Sequence, residues 1–128
     1  MASKPATIKS LRPGQYIIID DEPCKIADIA LSKPGKHGSM KARLDAVGIF
    51  DNRKRSLMKP ADATVSVPII EKKRAQVVSV SGDFVQLMDL EDYSTFDATI
   101  PEDMKGKIQP GAEIGYWKLE NRILLKDA

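Results

Sequence analysis

Turn-forming residues recur so closely along this 128-residue chain that its apolar runs can only be short strands. The run at 16–20 (Tyr16-Ile17-Ile18-Ile19-Asp20) is opened by Arg12-Pro13-Gly14 and closed by the acidic turn Asp20-Asp21-Glu22-Pro23. Residues 24–31 alternate apolar and polar positions, with a one-residue slip at Asp28 that predicts a bulge or bend. A return strand is expected over 41–50, with Ala42, Leu44, Ala46 and Gly48 on one face. Asp51-Asn52 then turns the chain into strands over 54–58 and 64–67.

A second set follows Glu71-Lys72-Lys73. Residues 75–80 and 84–89 flank Ser81-Gly82-Asp83 and read as a hairpin. Residues 95–100 form another strand, and 114–119 and 122–125 form a pair joined at Glu120-Asn121. The sole helix start lies at 101–105, where Pro101 suits the first helical position, acids follow in the first turn, and Gly106 ends the segment. Many short strands at this spacing predict an all-β protein made of two small barrels, not a parallel sheet.

Charge supports a division. Residues 1–70 hold twelve Lys/Arg against seven Asp/Glu, whereas 71–128 hold eight against eleven, and Pro68 stands at the change. The expected domains are therefore 1–70 and 71–128. Eight of the basic residues fall within 33–59 (Lys33, Lys36, Lys41, Arg43, Arg53, Lys54, Arg55 and Lys59) against Asp45 and Asp51 only. They read as a basic patch centred on one loop, of the kind that attracts phosphate backbones.

The residue inventory argues against catalysis. One histidine and one cysteine cannot supply a usual zinc ligand set. His37 has no evident Ser or Cys nucleophile beside it, and no phosphate-cradling glycine loop occurs. Asp89, Glu91 and Asp92 beside Tyr93 read as a solvated acidic turn. Cys24 reads as a buried small hydrophobe, and with no second cysteine an intrachain disulfide is impossible. No apolar run approaches the ~20 residues of a membrane span. A soluble, cytoplasmic, monomeric protein that does not act at a membrane is expected. Of the aromatics able to stack on bases, Tyr93, Phe96, Tyr116 and Trp117 are each expected in the core.

The loop itself is Ser32-Lys33-Pro34-Gly35-Lys36-His37-Gly38-Ser39-Met40-Lys41, in which Lys36 sits between two glycines beside the only histidine. Glycine and proline at these places specify a tight, exposed turn with Lys36 at its tip. This decapeptide, Ala42-Arg43, Pro68-Ile69-Ile70-Glu71-Lys72, the run from Gln86 to Glu91, and Pro110-Gly111 together resemble the translation initiation factor 5A family over nearly the whole chain. Ser39-Met40 and Pro34 differ from the eukaryotic pattern, so the resemblance is to archaeal members.

The resemblance implies an SH3-like barrel followed by an OB-fold, and a non-enzymatic translation factor with no bound cofactor. It implies that Lys36 receives a spermidine-derived aminobutyl group from deoxyhypusine synthase, giving deoxyhypusine in preference to hypusine. Lys33, Pro34, Gly35, His37 and Gly38 would form the modification loop. The implied partners are the ribosome, through rRNA, and the acceptor end of peptidyl-tRNA. Lys41, Arg43, Arg53, Lys54 and Arg55 are candidate RNA contacts. The alternative is a general RNA-binding two-barrel protein whose loop lysine stays unmodified.

Overall fold

The structure is a computed structural model, and it describes residues 1–33 and 40–126. The chain divides into two compact units, Met1–Ile69 and Ile70–Ala128. Strands account for nearly all the regular structure, as the alternating patterns predict.

The first unit contains β1 (Ser3–Thr7), β2 (Tyr16–Ile19), β3 (Glu22–Ser32), β4 (Lys41–Gly48), β5 (Lys54–Pro60) and β6 (Thr64–Pro68). Strands β2-β3-β4-β5 form one antiparallel sheet in sequence order, and β1 pairs with β6. Between β2 and β3 the two-residue turn Asp20-Asp21 has φ of 53° and 62°. Positive φ at both positions matches the twist of a hairpin, and aspartate tolerates that region better than most residues. The slip expected at Asp28 is present as a register shift between Ile26 and Asp28.

Ala42, Leu44 and Ala46 of β4 point inward with Ile26 and Ile17, and Ile8 from the short 3-10 turn Ile8–Ser10 joins them. Fully burying an aliphatic side chain of this size contributes about 1.5–3 kcal/mol. Strand β1 was not legible in the sequence. It carries Pro5 and no clean alternation, and its order comes from distant partners such as Val67 and Val65.

The second unit contains β7 (Glu71–Ser81), β8 (Phe84–Asp89), β9 (Thr95–Thr99), β10 (Glu113–Leu119) and β11 (Arg122–Lys126), in the order β11-β10-β7-β8-β9. The long strand β7 serves two neighbours, with β10 against its first half and β8 against the part from Ala75 to Ser81. A bulge between Val77 and Ser79 bends it, and β11 comes alongside β9. The result is a small five-stranded barrel with the arrangement of an OB-fold. Ala75, Val77, Val85, Leu87, Ile114 and Tyr116 fill it. The expected helix shrinks to one 3-10 turn, Glu102–Met104, with Pro101 preceding it as N-cap instead of occupying its first position. Lys105 is already extended and Gly106 has φ of 79°, so the segment cannot continue as a helix.

Candidate nucleic-acid interface

Pairing between β3 and β4 runs without break from Asp28↔Asp45 to Ser32↔Lys41. Residues 33–40 therefore join two strand ends that lie ~5 Å apart. Pro34, Gly35, Lys36, His37 and Gly38 lie outside the described residues. Lys33 and Met40, which flank them, are exposed. The hairpin base is tied to the unit by the Ala61 N–H, which donates to the Met40 carbonyl at 2.8 Å.

The described basic residues of 33–59 do not form one patch. Lys41 stands opposite Pro60, whereas Lys54 stands opposite Val47, six residues further along β4. At ~3.3 Å per residue the two ends are ~20 Å apart. Lys33, Lys41, Arg43 and Lys59 gather towards the loop end. Arg53 and Lys54 lie at the far end, where the chain turns from β4 into β5. Between them runs an acidic row in which Asp28 is the register partner of Asp45. Asp45 accepts a hydrogen bond from Ser56 Oγ at 2.6 Å and lies 3.9 Å from Arg43 Nε. Spacing along the sequence could not reveal this, because a hairpin carries neighbours in sequence to opposite ends of a strand.

Arg55 is committed elsewhere. It stands opposite Ala46 on the inward face, with its side chain only 15% exposed. Its Nη1 and Nη2 donate to Asp51 Oδ1 and Oδ2 at 3.1 and 2.8 Å. Asp51 Oδ1 also accepts the Arg53 N–H at 3.0 Å. The bidentate guanidinium, helped by that N–H, holds the Asp51 carboxyl well below the usual carboxylate range. This fork closes the β4–β5 turn.

Gly48 makes room for the fork. A Cβ there would stand 2.0 Å from Asp51 Oδ1 and 2.8 Å from Arg55 Nη1. Asp51 is too short and too tightly held to yield without losing its bonds. Gly48→Ala is expected to destabilise the protein by about 1–3 kcal/mol in urea titration. A loss below about 0.5 kcal/mol would show that the fork moves aside freely.

In the acidic turn of the second unit Glu91 and Asp92 are exposed as expected, but Asp89 is only 1% exposed. It stands at the end of β8 opposite Ala75, and β10 brings Tyr116 to it. Its carboxylate accepts hydrogen bonds from the Tyr116 hydroxyl and from the N–H groups of Glu91 and Asp92, the last two at 2.7 and 3.2 Å, with Lys73 Nζ at 3.7 Å. These donors, the tyrosine first, outweigh burial and hold its pKa at about 2. Burial and the facing carboxylate push the Tyr116 hydroxyl well above its ordinary value. Three hydrogen bonds and one cation hold the Asp89 carboxylate in place, a structural knot under the turn. Among the described residues no three His, Cys, Asp or Glu side chains are grouped to hold a metal ion. Cys24 is fully buried and its thiol is pushed up chiefly by that burial, as a small hydrophobe requires.

Of the aromatics expected in the core, Tyr116 is buried and Phe96 packs on it at 4.8 Å between ring centres. Tyr93 is not in the core. It sits in the turn at φ of 60° and is 68% exposed. Trp117 is half-buried under Lys72 and Lys126, whose Nζ atoms lie 5.0 and 4.4 Å from the ring centre. Sequence reasoning overlooked Phe84, which is 60% exposed at the start of β8.

The described helical segments are single 3-10 turns, and none is long and apolar enough to cross a membrane.

Comparison with known proteins places this architecture. Residues 2–63 match a family model described as translation initiation factor 5A-like, N-terminal. Residues 69–122 match one described as eukaryotic elongation factor 5A hypusine, DNA-binding OB fold. Translation initiation factor 5A of Methanocella arvoryzae is 57% identical over 109 residues, covering 85% of each chain. That of Pyrococcus furiosus is 52% identical over 120 residues, covering 91% of this chain and 87% of the relative. The solved structure of the factor from Methanococcus jannaschii superposes with a TM-score of 0.91 at 40% identity, covering 98% of this chain and 95% of that one.

Proposed function

This chain belongs to the translation initiation factor 5A family, and on that premise we propose that it promotes peptide-bond formation on the ribosome through a modified side chain at Lys36. As a member of that family it is a translation factor. The observation that carries the finer reading is the register of β3 and β4. Lys36 falls in sequence between these two paired strands, and the base of their hairpin displays Lys33, Lys41 and Arg43 as exposed cations.

In this reading deoxyhypusine synthase transfers the aminobutyl group. The Lys36 amine is the nucleophile and must first lose its proton, since free lysine has a pKa of ~10.4. The product side chain is longer and carries two amino groups. It reaches the acceptor end of peptidyl-tRNA, while Lys41 and Arg43 hold nearby phosphates. The gain is positional, because a poorly reactive peptidyl-tRNA is kept in a productive pose. Residues 1–70 carry this activity as one domain. Residues 71–128, acidic on balance, form a second domain that contributes fewer phosphate contacts. The factor works in the cytoplasm as a monomer.

Peptide mass spectrometry across Lys36 of protein from its native cells tests the proposal. An added aminobutyl mass supports it. Plain lysine in nearly every copy overturns it and leaves an RNA-binding protein with an unmodified loop.

Salt titration of ribosome binding tests the contacts. Lys41→Ala and Arg43→Ala are each expected to weaken binding and to reduce the slope of log K against log salt by about one. Arg55→Ala should leave that slope unchanged and lower stability, because its charge is spent on Asp51. A reduced slope for Arg55→Ala at unchanged stability would return it to the interface.

A further inference from the structure

On the outer face of the second barrel, Phe84 stands between its register partners Ser81 and Thr99, with Asp97 two residues along β9 from Thr99 on the same face. Across from them the β10–β11 hairpin brings Asn121 and Ile123, and a cleft of about 270 Å³ lies between. Small-molecule sites begin at ~300 Å³, so this cleft suits one long side chain.

Its wall is held in place. The Ile100 N–H donates to the Asp83 carbonyl at 2.8 Å, and the Asp83 carboxylate pairs with Lys105 Nζ at 3.2 Å. Lys105 is shared with Glu102 at 2.9 Å, so this cation is already taken by two acids. Asp97 is exposed, and among the described residues no basic group pairs with it. The cleft thus offers an aromatic face, an uncompensated carboxylate, a hydroxyl and an amide. The chemistry that matches all four is a flat cation able to stack and to donate several hydrogen bonds. A phosphate backbone is disfavoured by Asp97 and by the eleven acids against eight basic residues in 71–128.

We propose that this cleft is a docking site for an arginine side chain presented by a basic segment of a partner protein. The guanidinium stacks on Phe84 and pairs with Asp97, and its aliphatic stem lies along Ile123.

The test is an NMR titration of the full chain, isotope-labelled and with Lys36 unmodified, so that failure of the modification reading does not affect it. The probe is a capped Gly-Arg-Gly-Arg-Gly peptide, compared with its lysine counterpart and with oligo-uridylate. The arginine peptide is expected to move the amide signals of Phe84, Asp97, Thr99 and Asn121, and to bind more tightly than the lysine peptide. Phe84→Ala and Asp97→Asn, both at exposed positions, are each expected to weaken it about threefold to tenfold. No shift at millimolar peptide, equal binding by both variants, or movement of these signals by oligo-uridylate alone would overturn the proposal.

Discussion

Lys36→Arg is expected to abolish the factor's function while leaving its fold and its net charge intact. Arginine keeps a cation at the loop but cannot replace the nucleophile. Its guanidinium holds its proton above pH 12 and delocalises its lone pairs, so no aminobutyl group is transferred. The side chain stays short and singly charged. On the proposed function, cells relying on the variant should therefore stall on poorly reactive peptidyl-tRNA, such as one ending in prolines. The comparison separates the two readings of the loop. If charge alone positioned RNA, arginine would serve about as well as lysine. Full rescue by Lys36→Arg in a proline-run reporter would sink the modification mechanism. Loss of function with an unchanged urea midpoint would support it.

The largest effect on stability is expected at Asp89. Asp89→Ala removes the acceptor of three hydrogen bonds and the counter-charge of Lys73 at once. It leaves the Tyr116 hydroxyl without its partner at a residue only 3% exposed, and Lys73 beside an apolar surface at 19% side-chain exposure. Breaking a buried, charge-assisted cluster in this way costs about 3–5 kcal/mol. Tyr116→Phe alone removes one donor and should cost about 1–2 kcal/mol. The two changes share an interaction, so the double variant should fall short of their sum by about 1 kcal/mol or more. A loss below 1 kcal/mol for Asp89→Ala would mean that the turn finds other acceptors.

The same site makes an acid-dependent contribution. The folded pKa of Asp89 is about 2, below its ordinary 3.8. The unfolded chain therefore binds the proton more readily, and stability from this group is complete above the unfolded pKa. It is lost as pH falls through the folded value. The stability gap between the parent and Asp89→Ala is thus expected to be constant above about pH 5 and to narrow towards pH 2. A gap independent of pH over that range would assign its origin to packing.

The hairpins were legible because their signals are local. Alternation at 41–48 set the inward face of β4, the slip at Asp28 marked the bulge, and Ser81-Gly82-Asp83 marked the turn before β8. Strand β1 was not legible, since a Pro-containing polar segment becomes a strand only when β6 offers its edge. The supposed cluster of basic residues was misleading for a related reason. Linear spacing counts Arg53 and Lys54 as neighbours of Arg43, whereas the strand rise carries Lys54 ~20 Å from Lys41.

By itself the sequence determined the all-β class, the two-barrel organisation, the family and the lysine on which the proposed chemistry depends, because strand period, turn residues and motifs are written in consecutive positions. Tertiary structure decided which charged groups are available. Arg55 and Asp89 look like surface charges in a linear reading. The β4–β5 turn folds Asp51 back onto the first, strand register brings Tyr116 with Lys73 to the second, and Phe84 and Asp97 are left facing solvent. Whether a charge is neutralised or free depends on how the turn closes and, for Asp89, on groups 16 and 27 residues away, and only the folded chain sets those distances.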